Sequence, residues 1–266
     1  MRYKSEFFTG YGDAMKIPLL YEFERFLLKY KKSLKIRLRY IYHRKHMKKY
    51  SQIIMLGKNC EVAFYFFRQF GFIDSNLFAW AYIREEHMIS VLKHPDILLN
   101  GELCPLEYGM IKHIPTEFLF HGRSNDYTTA SKETIQSDID ELKSRLRYLI
   151  KKFTNYLNSN EKKLFIFTLR DNINHEKYIS SILEILQSKT KNFNILCIME
   201  EKQHHNSIIS MQNDTIYFRF VNHFADPDCV TSLESGDPKG WKKIFNEFGP
   251  ECLKKSSKHF KFDSRD

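Results

Sequence analysis

Apolar positions along this chain follow two alternating patterns. Short, nearly unbroken apolar runs occur at 52–56 (QIIML), 163–169 (KLFIFTL), 194–199 (NILCIM) and 215–221 (TIYFRFV). Runs of this length and composition predict strands buried on both faces. Elsewhere apolar residues recur every three to four positions, which predicts helices over 60–69, 131–157, 175–188 and 238–248. Gly71 stands where a helix C-cap is needed, Ser131 or Thr134 can cap the long helix, and Pro238 sits near the first turn of the last one. The stretch 200–212 reads as a short helix or loop. Residues 72–130 are mixed, with a short helix near 85–93 and a hairpin region around 103–121. Strands that alternate with helices predict an α/β fold, its mainly parallel sheet flanked by helices.

The N-terminal part differs. Residues 1–18 are irregular in pattern. Residues 19–49 read as a helix with Leu20, Phe23, Leu27, Leu34, Leu38 and Ile41 on its apolar positions. Residues 1–50 carry 14 Lys+Arg against 4 Asp+Glu, which equals the whole formal charge of +10, so the other 216 residues are neutral overall. Because no Pro/Gly/Ser-rich linker follows, the expected organisation is a basic helical extension over 1–50 and one α/β domain over 51–266. Such a helix can lie solvated, dock its apolar stripe on the domain, or rest on anionic phospholipid through 19–49. No nucleic-acid-binding motif accompanies the charge, so nucleic acid is not an expected partner.

Composition narrows the class. With 42% hydrophobic residues, 23 Phe and 15 Tyr, a disordered chain is excluded. No apolar run is long enough for a transmembrane helix, and the N-terminus lacks a signal-peptide pattern. The five cysteines, 60, 104, 197, 229 and 252, form no CxxC pair. A reduced, cytoplasmic protein is therefore expected, with the extension able to hold it on the inner membrane face. No His/carboxylate cluster has metal-ligand spacing, so neither a metal nor a cofactor is expected.

The stretch most suggestive of chemistry is IIMLGKNCEVAFYFFRQFGFIDSNLFAW. A strand ends, Gly57 permits a tight turn, and Cys60 opens a helix. The helix start favours a thiolate over a thiol, so the thiol pKa should fall. Its N–H groups can hold an oxyanion, with Asn59 as a further donor. The same pattern also fits a small core cysteine. If the sheet is open and parallel, Gly57–Cys60, Arg170–Asn172, Glu200–Glu201 and Asn222–His223 all follow strands and gather at one edge. There Arg170 can hold a phosphate or carboxylate, or pair with Asp171 or a neighbouring carboxylate.

The run Leu56-Gly57-Lys58-Asn59-Cys60-Glu61, followed by Phe70-Gly71, Ile73-Asp74-Ser75 and Leu77-Phe78-Ala79-Trp80, resembles the bacterial DUF1796 family of papain-like cysteine peptidases. Met110-Ile111-Lys112, Phe120-His121-Gly122-Arg123, Gly236–Trp241 and Ile244–Phe248 extend the resemblance. Met55 and Ala79 depart from it where that family carries Ser, and Asp or Ser. The resemblance implies a Cys60 nucleophile with a histidine base. His121 lies in the family-like run. His223 follows the strand 215–221, with Asp226 and Asp228 nearby, and His113 is a further candidate. Gly57, Asn59, Glu61, Trp80, Arg123 and Arg170 are the candidate substrate contacts. The resemblance also implies a papain-like α+β fold, whereas the hydrophobic pattern implies the open α/β sheet.

Three functions remain open at this level. One is a cysteine-dependent hydrolase or acyl transferase. A second is a glycosyltransferase-like transferase of surface-polysaccharide or lipopolysaccharide assembly at the cytoplasmic membrane face. The third is a non-catalytic module whose pocket is built from Phe78, Trp80, Tyr82 and Trp241. Small-molecule, peptide and glycan substrates are all compatible with these readings.

Overall fold

The computed structural model describes residues 49–58, 60–170, 174–203, 206–225 and 235–250, together with the single position Leu34. The expected helix over 19–49 lies outside the described residues, Lys49 and Leu34 apart. So do Asn59, Asp171, Asn172, Asp226 and Asp228.

The fold is mixed α/β with two four-stranded sheets. The parallel sheet has the order β1 (Gln52–Met55), β6 (Lys163–Thr168), β7 (Phe193–Glu200), β8 (Ile216–Val221). These are the four apolar runs, and β6 is buried along its entire length. The antiparallel sheet has the order β2 (Ala81–Tyr82), β5 (Phe118–His121), β4 (Met110–His113), β3 (Leu103–Pro105). The α-helices that accompany them are α1 (Glu61–Phe70), α2 (Glu85–Lys93), α3 (Lys132–Asn158), α4 (His175–Lys189), α5 (Asn206–Ile209) and, after the last strand, α6 (Pro238–Phe248). The expectation of a parallel sheet is met for half of the strands. The other half, inserted between β1 and β6, pair antiparallel.

Strand alternation sends the parallel sheet's side chains into two cores. On one face Ile53, Met55, Leu164, Ile166, Leu196 and Ile198 pack under α1 and α6. On the other, Ile54, Phe165, Phe167, Ile195, Cys197 and Phe218 share one core with α3, α4 and the inward residues Ile111, Phe118 and Phe120 of the antiparallel sheet. Tyr50 is buried in the first core, and the Lys49 ammonium sits over the rings of Tyr50, Tyr217 and Phe248.

Local signals act where expected. Gly71 ends α1 in the left-handed region at φ 71°, a conformation that favours glycine, and its N–H donates to the Phe67 carbonyl. Ser131 caps α3, accepting from the Thr134 N–H, and Asp237 caps α6, accepting from the N–H groups of Lys239 and Gly240. No described helix is long and apolar enough to cross a membrane.

Candidate active site

Parallel pairing places the carboxyl ends of β1, β6, β7 and β8 along one edge. Gly57 and Cys60 follow β1 there, and Cys60 occupies the N-cap position of α1 without a side-chain capping bond. The antiparallel sheet is tied to this turn. The Ile83 N–H donates to the Lys58 carbonyl at 3.1 Å, and the Lys58 ammonium pairs with the buried Glu85 carboxylate at 3.5 Å. Ile83 follows β2, and Ala81 of β2 pairs with Phe120, the neighbour of His121. The result is a meeting of side chains 61 positions apart in sequence: Cys60 Sγ and His121 Nε2 lie 3.7 Å apart. This is within hydrogen-bond reach for sulfur, the geometry a thiol nucleophile and its base require.

Two features of α3 hold His121 in place. Arg145 donates from Nη2 to the His121 carbonyl at 3.0 Å. Asp138 accepts at Oδ2 from the Tyr127 hydroxyl (2.7 Å) and from the N–H groups of Arg123 (3.1 Å) and Ser124 (3.0 Å), fixing the segment just after His121. Among the described residues, the side-chain contact of the His121 ring is the one with Cys60 Sγ. Asp138→Ala leaves one hydroxyl and two N–H groups without their acceptor. A loss of about 2–4 kcal/mol is expected from such a deletion, measured by urea unfolding.

The electrostatics correct one expectation. Burial pushes the Cys60 thiol up to about 11; its own N–H, which favours the thiolate, offsets only part of that. The helix start is present, but desolvation of the anion outweighs it. His121 keeps solvent-exposed surface, but protein atoms around its ring desolvate it in part and move it down from its ordinary value, and the nearby Arg145 charge adds to this. Both directions favour a neutral thiol beside a neutral imidazole.

Glu61 and Arg170 meet each other. Glu61 is fully buried; its carboxylate takes the Arg170 guanidinium on one oxygen and the Trp241 Nε1–H (2.9 Å) on the other, with the Ala225 N–H at 3.1 Å from both. Arg170 also donates to the Ala225 carbonyl at 3.0 Å and lies over the Phe224 ring. Burial lowers its pKa to about 10. The pairing with a neighbouring carboxylate is thus the alternative the fold adopts. Gly236 lets the chain approach this hub closely, since a Cβ there would stand 2.7 Å from Glu61 Oε1. The hub links α1, β6 and α6 directly beneath Cys60.

The other candidates separate. His223 bonds through Nε2 to the Ser235 carbonyl at 2.9 Å. His113 is fully buried, its ring held between the Thr116 hydroxyl and the Asn100 carbonyl, both at 2.8 Å. Arg123 is exposed and paired with Glu141. Gly57 lies in the turn itself, and Trp80 is 38% exposed. The aromatic pocket of a binding module is not formed as expected. Phe78 and Trp241 are fully buried: Phe78 packs edge-on against Phe153, and Trp241 stacks on Tyr65 and Phe245.

Arg145 and Asp138 escaped the sequence reading. Asp138 carried a usable signal: it stands on the stripe of Leu142, Leu146 and Ile150, where a solvated helix face would not place a carboxylate. Among the described residues, no group of three or more His, Cys, Asp or Glu side chains could hold a metal ion. Set against protein-family models, curated proteins and solved structures, the chain returns no match.

Proposed function

We propose that this protein is a cysteine-dependent hydrolase or acyl transferase in which Cys60 is the nucleophile and His121 the base. The observation that carries the reading is the 3.7 Å approach of Cys60 Sγ to His121 Nε2 at the carboxyl edge of the parallel sheet. The resemblance of the Leu56–Glu61 run to cysteine peptidases points the same way.

The chemistry starts from the neutral pair. His121 Nε2 takes the thiol proton as Sγ attacks the acyl carbon, so the thiolate exists only as the bond forms. Backbone N–H groups in the first turn of α1, which lack acceptors within the helix, face the developing oxyanion. The protonated imidazole then gives its proton to the departing alcohol, amine or thiol. Water, or a second acceptor, attacks the thioester with His121 again as base, and Cys60 regains its proton. Glu61 and Arg170 are positioning residues in this scheme, because they fix the helix start from below.

The test is the pH dependence of Cys60 alkylation by iodoacetamide, followed by mass spectrometry. The expected rate is low at pH 7 and climbs through an apparent pKa above the ordinary thiol value of about 8.5. Turnover requires neutral His121, whose folded-state pKa lies below the ordinary 6.5. Activity should therefore persist at pH 6.5 and fall only as pH drops through that lower value. A flat, fast alkylation from pH 5 to 7 would show a resting thiolate and overturn the neutral-pair mechanism.

A further inference from the structure

The solvent face of the antiparallel sheet begins at the dyad. Along β5, Phe118 and Phe120 are buried in the core, while Leu119 is half-buried and His121 exposed, so the latter two share the outer face. The register sets their neighbours. Met110 pairs with His121 and Lys112 with Leu119. Tyr82 pairs with Leu119 on the other side, and Trp80 stands in the turn that leads into β2, one residue before Ala81, the partner of Phe120. Leu106 donates its N–H to the Met110 carbonyl at 2.7 Å, which extends the row beyond β4. One row thus crosses the sheet as His121, Met110, Leu106, with Trp80 at the turn entering β2 beside its His121 end. Trp80 and Leu106 are 38% and 37% exposed.

Apart from His121 and the indole N–H, this row has no side-chain hydrogen-bonding group. The next row on the same face contains Lys112, whose ammonium bonds to Glu117 at 2.9 Å; Glu117 also pairs with Arg84. Those charges satisfy one another. A glycan or a polar peptide needs donors and acceptors along its length, and the row does not provide them. An aliphatic chain needs only apolar surface. From His121 to Leu106 the row spans two inter-strand spacings, about 10 Å, which suits a medium-length chain.

We propose that this row is the acyl-binding strip of the site, and that its substrates are esters or thioesters of medium-length aliphatic acids. The inference rests on Cys60 being the nucleophile. The carbonyl carbon bonds to Sγ, the bond to the leaving oxygen or sulfur breaks, and that atom takes the proton held on His121. The acyl chain then lies over Met110 and Leu106, with Trp80 on the other side of the imidazole.

The probes are p-nitrophenyl acetate, butyrate and octanoate with the full-length chain, reading kcat/KM and the mass of acylated Cys60. Burying a methylene completely is worth about fourfold, and on a half-open strip about twofold, so the four extra methylenes of octanoate should raise it over butyrate by roughly fifteenfold. In Met110→Ser/Leu106→Ser and in Trp80→Ala, the octanoate-to-acetate ratio should drop several-fold, while Trp80→Phe should keep it. Thermal unfolding of each variant separates loss of the strip from loss of the fold. A flat chain-length profile, with Cys60 still acylated, overturns the strip and leaves the nucleophile standing. An unchanged ratio in the folded Met110→Ser/Leu106→Ser and Trp80→Ala variants also overturns the strip. If none of the three esters acylates Cys60, the nucleophile reading fails and takes the strip with it.

Discussion

Cys60→Ala is expected to abolish acyl-enzyme formation and to lower ester turnover by a factor on the order of 10^4 or more. Among the described residues there is no substitute. Of the other described cysteines, Cys197 is fully buried in a core strand, and Cys104 lies on β3, its thiol facing its neighbour's carbonyl. Stability should change little, because Cys60 is half-buried and Ala removes a single atom from its side chain. His121→Ala should cost about 10^2–10^4-fold, the usual worth of a positioned general base. The double variant should be hardly slower than Cys60→Ala alone, since two groups serving one proton transfer are not additive. Steady-state rates and thermal unfolding on the three variants check this. Wild-type turnover in a folded Cys60→Ala protein would remove Cys60 from the mechanism.

Glu61→Ala is expected to lose about 3–5 kcal/mol of stability, the typical cost of breaking a buried ion pair from one side. It strands the buried Arg170 charge and removes the acceptor of both the Trp241 indole N–H and the Ala225 N–H. For a domain of this size the melting temperature should fall by roughly 10 °C. Replacing both partners, as Glu61→Leu with Arg170→Met, should restore part of the loss, because no charge is then left uncompensated. Differential scanning calorimetry on the single and double variants separates the outcomes. A Glu61→Ala melting temperature equal to wild type would mean that the carboxylate is not what joins α1, β6 and α6.

The parallel half of the fold was legible because its strands are long apolar runs bounded by polar residues, and the pattern located β1, β6, β7 and β8 to within one or two residues. Ser131, Gly71 and Pro238 are local signals and acted locally, whereas the Asp237 cap beside Pro238 was not singled out. The antiparallel half was read only as a hairpin region. Its strand β2 has two residues, too short for any period to register, and its partner Phe120 lies far along the chain. The hub showed the same limit. Cys60 stood out by its place after a strand and a glycine, whereas Glu61 beside it gave no sign that its carboxylate would be buried under Arg170 and Trp241.

What the amino-acid sequence determined by itself is therefore the four parallel strands and the helices around them, the charged N-terminal segment and the position of Cys60 at a strand-to-helix turn. Each of these depends on neighbours a few residues away. The tertiary structure decided which histidine reaches the thiol, which way that thiol's pKa moves, and whether Arg170 meets a ligand or a carboxylate. His121 is brought to Cys60 by strand pairing, and the Lys58–Ile83 bond fastens the turn to that sheet. The thiol is raised because the fold strips water from it, a cost set by surrounding atoms and not by the helix start that the sequence displays.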